Sequence, residues 1–317
     1  MILFLSAIAA VIPMLGYLFI IWRFDRYDRE PVVLILINYF WGAVGAIILT
    51  LLFGSILDLF ISFLFSEENH LEFLKSSVSA PIIEEITKGF FLFLMVQNRK
   101  FDNITDGVVY GGAIGLGFGM TENFMYFIAN SSSVGTWIFV VIVRTLFSAI
   151  MHCVATGTLG AFLGYAKFKK RIWKVLCAIT GLVVAIIIHS AWNSFISFES
   201  TAWIGFVFMV ITIFIFIIVF NLSISSEKKI IFSELYEESQ NGLIPAEHLS
   251  IINSSQRNKF GWIDEAIRKQ YISSAIGLAF RKMQFKNSFG INNNFYAAEV
   301  DRLRETISIL LGKITST

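Results

Sequence analysis

Ala80-Pro81-Ile82-Ile83-Glu84-Glu85-Ile86-Thr87-Lys88-Gly89-Phe90-Phe91 sets two carboxylates and an ammonium in a segment otherwise apolar enough for lipid. Each such charge costs about 2.5–3.5 kcal/mol near the centre of a membrane helix. Charges are retained there where they face a protein interior or a water-filled cavity, and there they carry function. The rest of the chain makes lipid the right solvent. Of its 317 residues 56% are hydrophobic and 33 are Phe, and several runs exceed the roughly 18 apolar residues that mark a spanning helix. The fold class is therefore all-α, a polytopic membrane bundle.

Composition also excludes classes of function. A net charge of +2 is too small to point to nucleic acid. Cys153 and Cys177 are the only cysteines and both fall inside predicted spans, which argues against a disulfide framework and against a Cys-based zinc site. Residues 2–21 lack the basic n-region and short apolar core of a cleaved signal and read as a retained span.

Hydropathy places spans at about 1–22, 32–65, 78–96, 106–129, 137–165, 173–197 and 203–222. Seven is the count, with eight as the alternative. Loop charge tests it. Arg23, Arg26 and Arg29, then Arg99 and Lys100, then Lys167, Lys169, Lys170, Arg171 and Lys174 occupy the odd loops, and the even loops hold only Lys75. The positive-inside rule then puts the N-terminus outside and the C-terminus in the cytoplasm. From Ser223 the character changes: the last 95 residues hold 12 of the 25 Lys/Arg and 10 of the 23 Asp/Glu. Two domains are expected, 1–222 in the membrane and 223–317 as a small cytoplasmic helical module. Within the module, 262–285 and 297–313 have helical periodicity, after a turn at 241–245. A solvated appendage and a surface for a cytoplasmic partner are both compatible with it.

The spans carry a polar set. Glu84 and Lys88 share a helix face and form a potential ion pair, while Glu85 points about 100° away. Gly107, Gly111, Gly115 and Gly119 form a small-residue stripe that lets a neighbouring helix approach closely, and the stripe runs into Glu122 and Asn123. Arg144, Ser148, His152, Thr156 and Gly160 follow at four-residue steps on the next span. His189 and Asn193 share a face on the one after. At about 1.5 Å per residue, Glu84, Glu122 and His189 come to similar depths of roughly 9–12 Å, and His152 to about 22 Å.

Two His and several Glu inside a membrane suit the activation of water. A carboxylate acts as general base, a His orients the attacking water, and a second His with an amide steadies the oxyanion. The chemistry is hydrolysis of a peptide bond. Neither His-Glu-x-x-His nor Gly-x-Ser-Gly nor Gly-x-Gly-Asp occurs, which argues against zincin-type, serine-type and aspartyl membrane proteases. No cofactor is favoured, but a zinc ion held by His152, His189 and Glu84 or Glu122 is chemically permissible, and spacing alone does not separate it from Glu–His chemistry. An ion- or proton-coupled transporter uses the same residue types, although the spans show no duplicated halves. A non-catalytic membrane scaffold is the third reading.

Glu84-Glu85-x-x-Lys88, Glu122-Asn123, His152 and His189-x-x-x-Asn193, on successive spans, resemble the PrsW family of bacterial intramembrane proteases, related to the CAAX prenyl endopeptidases and bacteriocin-processing membrane proteases. Asp25-Arg26-Tyr27-Asp28-Arg29-Glu30-Pro31 resembles a signature of the same family. The resemblance covers roughly 10–200. It implies Glu84 as catalytic carboxylate with Glu85 as its acidic neighbour, and Lys88 at a position where the CAAX enzymes carry Arg. It implies His152 as the partner on the water, His189 and Asn193 as the oxyanion site, and Glu122 as a further site residue. It also implies a bacterial cytoplasmic membrane location and a membrane-anchored substrate of the anti-sigma-factor kind.

Overall fold

Lipid offers no partner for a backbone N–H or C=O, so an apolar chain of this kind must satisfy its backbone within each segment. A computed structural model describes residues 1–64, 68–288 and 290–312, and the side chains of all of these except 64, 68–70 and 291. The described residues contain helices and no strand. They fall into two units, one formed by 1–25 with 29–220 and the other by 26–28 with 221–317.

The first unit contains, among the described residues, seven helical rods. They are α1 (Ile2–Phe24); α2 (Val32–Phe40) running into α3 (Ile47–Leu64); α4 (Glu68–Leu74) running into α5 (Ala80–Met95); α6 (Ile104–Ala129); α7 (Val134–Val143) running into α8 (Ala149–Ala166); α9 (Arg171–Ile196); and the part of α10 (Glu199–Gln240) up to residue 220. Each of the three composite rods is joined by a π-helical turn, at Trp41–Ala46, Lys75–Ser79 and Arg144–Ser148. Residues 2–24, 32–63, 134–166, 171–196 and 199–240 are long and apolar enough to cross a membrane. The chain is a multi-pass membrane protein, and residues such as Leu59, Phe63, Phe139 and Phe214 turn apolar side chains outward.

The expected spans at 78–96 and 106–129 correspond to α5 and α6, which fall outside that apolar group of five. The reason is burial. α5 has 16 residues and spends three on Glu84, Glu85 and Lys88. α6 buries 17 of its 26 residues and packs against α1, α2, α8 and the Trp41–Ala46 turn. A helix enclosed by other helices needs no apolar outer face. Its start is fixed locally: the Asn103 side chain accepts from the N–H groups of Thr105 and Asp106 at 2.6 and 3.2 Å, and the Asp106 carboxylate accepts from Asn103 N–H at 3.2 Å. This is a capping box, and it sets the register of everything downstream on α6.

The helix expected to end near 222 does not stop there. α10 continues through Ser223 to Gln240, since no Gly or Pro intervenes, and the chain turns at Gly242, whose φ is +76°. The second unit adds α11 (Ala246–Ile252), a 3₁₀ turn at Ser255–Asn258, α12 (Glu265–Asn287) and α13 (Ile291–Leu310). Leu235, Tyr271, Leu278, Phe280 and Ile307 form its core. Lys282 is buried and donates to the Glu234 carbonyl at 2.7 Å, while pairing with Glu238 at 2.8 Å and Glu237 at 3.0 Å. Lys313, in the second expected module helix, and Glu67, in the expected outer loop, lie outside the described residues.

Candidate active site

The glycine row of α6 decides which face of α8 it meets. A methyl group added at Gly107 would lie 2.0 Å from the Gly160 carbonyl oxygen, at Gly111 2.4 Å from that of Thr156, and at Gly115 2.2 Å from that of His152. Only hydrogen fits at these positions. The two four-residue stripes therefore run against each other, and one turn beyond them Glu122 reaches His152, with Oε2 2.6 Å from Nε2.

Arg144 reaches the same oxygen, its Nη2 lying 2.8 Å from Glu122 Oε2. A regular helix would not allow this. Eight residues of α-helix leave Arg144 and His152 about 80° apart, whereas the extra residue of a π-helical turn removes about one 100° step and brings them to within about 20°. The turn at Arg144–Ser148 thus aims both residues at one carboxylate. Arg144 Nε also donates to Asn123 Oδ1 at 3.0 Å, and its guanidinium lies 3.7 Å above the Tyr126 ring.

From α5, Lys88 enters at the centre. Its Nζ lies 2.5 Å from Glu85 Oε1, 3.0 Å from His152 Nδ1 and 3.8 Å from Glu84 Oε2, over the Phe118 ring at 4.2 Å. The expected pairing of Lys88 with Glu84 is therefore the longer of its two carboxylate contacts. Glu85 is saturated: it accepts from Lys88, from Thr156 Oγ1 at 3.0 Å, and from His189 Nδ1 at 2.9 Å. Donor logic then assigns the imidazoles. An ammonium only donates, so His152 Nδ1 accepts and its Nε2–H points to Glu122. A carboxylate only accepts, so His189 donates from Nδ1 and its Nε2 carries the lone pair.

That lone pair faces Glu84. His189 Nε2 and Glu84 Oε2 are 3.7 Å apart, and Glu84 Oε2 is buried without a hydrogen-bond partner. The structure thus brings Glu84, Glu85, Lys88, Glu122, His152 and His189 into one cluster, with the two imidazole rings 4.7 Å apart and edge to face. His152 is not the deep outlier that a uniform rise along its span implies. Asn193 sits one turn from His189 on the wall of an adjoining cavity of about 200 Å³. Its amide donates to the Ser76 carbonyl in the π-helical turn before α5, at 2.9 Å.

Three side chains could hold a metal ion. Glu84, His152 and His189 each offer a ligand atom, and these lie within 4.8 Å of one another; a ring nitrogen of His152 would be open to an ion once Lys88 or Glu122 gave up its bond to it. The donor set fits zinc. The buried unpartnered oxygen of Glu84 and the carboxylate that orients His189 through Nδ1 are both features of such sites.

The early signature lies elsewhere. The Glu30 carboxylate accepts from the Tyr110 hydroxyl, and Glu30 N–H donates to Asp25 Oδ2 at 3.1 Å. Tyr110 is 12 residues before Glu122 on α6, about 18 Å along the axis. Among residues outside the expected set, Arg144 and Thr156 touch it directly. Both were visible in the stripe 144-148-152-156-160. The π-helical turns, by contrast, have no signature in residue type.

Over residues 30–220 the chain matches the family model described as PrsW family intramembrane metalloprotease. It is 31% identical over 202 residues to Protease PrsW of Bacillus subtilis (strain 168), which spans 63% of this chain and 84% of that protein. It is 29% identical over 170 residues to Protease PrsW of Oceanobacillus iheyensis, spanning 51% and 72% of the two chains. To Protease PrsW of Clostridioides difficile (strain 630) it is 27% identical over 195 residues, spanning 60% and 78%. No solved structure matches it.

Proposed function

The chain belongs to the PrsW family of intramembrane proteases, and from that premise we propose that it hydrolyses a peptide bond of a membrane-anchored protein at the Glu84, His152 and His189 cluster. The observation that carries the reading is the free Glu84 Oε2 opposite the lone pair of His189 Nε2 at 3.7 Å. Water in that gap loses a proton to Glu84 while its oxygen attacks the substrate carbonyl carbon. When the C–N bond breaks, the proton passes to the leaving amine. Lys88 and Glu85 hold the two imidazoles in the required tautomers, and Glu122 with Arg144 holds the far edge of His152. His189 turns its Nε2 lone pair to the water, and Asn193, one turn away on the cavity wall, has a second amide N–H for the oxyanion beyond the one given to Ser76.

A second reading keeps the residues and changes one role. The metalloprotease character of the family it matches and the mutual 4.8 Å spacing of the ligand atoms favour a zinc ion held by Glu84, His152 and His189. Such an ion, when bound, polarises water and carbonyl oxygen, and Glu84 is then a ligand rather than the base. Glu122, hydrogen-bonded to His152, is the remaining carboxylate beside the substrate cavity.

Both readings are tested with a single-span reporter substrate co-reconstituted in vesicles. Glu84→Gln and His152→Ala abolish cleavage while the protein stays folded; wild-type rates in both would overturn the assignment. Metal analysis with a chelator series separates the two, because activity that survives full metal removal excludes the zinc version. The remaining inferences concern placement. α5 and α6 cross with the five apolar rods, making seven, and the module 223–317 lies on the basic, cytoplasmic side of a bacterial inner membrane, where it is free to meet a soluble partner. The substrate is of the anti-sigma-factor class, and its cut faces outward. Labelling single cysteines in the Lys169 loop from outside intact cells should fail; efficient labelling would reverse the orientation.

A further inference from the structure

The wall of the cavity beside His152 carries a hydroxyl that the fold leaves without a partner. Ser148 is 2% exposed, and its Oγ makes no hydrogen bond. Three other hydroxyls in the spans turn back to the carbonyl four residues earlier, Ser55 to Leu51 at 2.6 Å, Thr158 to Val154 at 2.7 Å and Thr212 to Phe208 at 2.8 Å. Ser148 does not. In its π-helical turn the Arg144 carbonyl accepts from the N–H of Ala149, and Ser148 lines the cavity together with Arg144 and His152, its hydroxyl buried.

A buried hydroxyl without a partner is destabilising unless another molecule completes it. Other polar groups on the same wall are engaged: one Asn193 amide N–H goes to the Ser76 carbonyl at 2.9 Å and the Ser197 hydroxyl to the Asn193 carbonyl at 2.7 Å. We propose that Ser148 is a catalytic residue, donating its hydroxyl hydrogen bond to the carbonyl oxygen of the scissile peptide and to the oxyanion that forms there. The inference rests on the proteolytic reading above. It also assigns the π-helical turn a purpose, because a regular helix would return the hydroxyl to its own backbone.

The test uses the full-length protein in vesicles with the single-span reporter, comparing Ser148→Ala, Ser148→Thr and Glu84→Gln. Loss of one oxyanion donor lowers kcat by about 10²–10³-fold, with KM little changed. The unfolding temperature of Ser148→Ala should stay level or rise, because the substitution removes an unsatisfied buried group. Ser148→Thr, which keeps the hydroxyl, restores most of kcat. Wild-type kcat in Ser148→Ala overturns the proposal. So does a loss of kcat accompanied by a lower unfolding temperature, or one that Ser148→Thr fails to restore. Glu84→Gln separates the two levels: if it is inactive while Ser148→Ala is fully active, only this inference fails, and if it is active the proteolytic reading itself fails.

Discussion

Replacing Gly115 with alanine perturbs the site without touching any polar group in it. The new methyl would lie 2.2 Å from the His152 carbonyl oxygen, and ordinary contact begins at 3.4 Å, so α6 and α8 must part by at least about 1.2 Å. Both atoms of that clash are anchored in helix backbone, so no rotamer change relieves it. Applied to the 2.6 Å contact between Glu122 and His152, the displacement takes it to about 3.8 Å, beyond hydrogen-bond reach. A misplacement of about 1 Å costs on the order of 10²-fold in rate. Overpacking of this size also destabilises by about 1–3 kcal/mol. Gly54→Ala is the matched control, because nothing lies within 4 Å of the added methyl and alanine is about 1 kcal/mol better than glycine in a helix. Reporter cleavage and thermal unfolding in detergent should show Gly115→Ala slow and less stable, and Gly54→Ala unchanged or more stable. If Gly115→Ala cleaves within threefold of wild type, the glycine row does not set the distance between Glu122 and His152.

Lys88→Met removes the ammonium that pairs with fully buried Glu85 at 2.5 Å; losing one partner of a buried pair costs about 3–5 kcal/mol, to be read as a lower denaturant midpoint in detergent, and an unchanged midpoint would refute the hub role. Asn103→Ala deletes the side chain that caps α6 through Thr105 and Asp106 and should lower stability by about 1 kcal/mol, with Asn103→Asp close to wild type. In the second unit, Lys282→Met strips buried Glu238 of its 2.8 Å partner. Protease nicking confined to 223–312 should then accelerate, and equal nicking of wild type and variant would show that this cation does not hold the unit together.

Much of the architecture is legible because lipid enforces it: apolar runs must be helices, and basic loops alternate. The polar set is legible for the opposite reason, since Glu84, Glu85, Glu122, His152 and His189 are expensive in that solvent and have to meet. What escapes is geometry created by one extra residue. Arg144, Ser148 and His152 read as a uniform four-residue stripe, but the π-helical turn between Arg144 and Ala149 re-aims the first of them and frees the hydroxyl of the second. Hydrogen-bond exchange of this sort depends on how α6 and α8 pack, not on residue type. Partner choice escapes for the same reason. Glu85 gathers Lys88, Thr156 and His189 from three helices, and that leaves Glu84 as the carboxylate with an oxygen free of hydrogen bonds. α10 runs on past Ser223 because the shift to charged residues there changes what its faces can meet and not its backbone, and no Gly or Pro interrupts it between there and Gln240.

The charges gathered around Lys88 have a consequence for what the enzyme accepts. Glu84, Glu85 and Glu122 stand against Lys88 and Arg144, so when Glu84 is ionised to act as the base and both imidazoles are neutral, the enclosed site is one positive charge short. In a poorly screened interior that deficit acts as a filter ahead of any fit of shape. Neutral carbonyls pass it and a cation is drawn in, whereas a second carboxylate is turned away. Profiling a reporter library randomised around the cut should therefore find Asp and Glu scarce at the positions flanking the scissile bond, and their enrichment there would mean the missing charge is supplied by something other than the substrate.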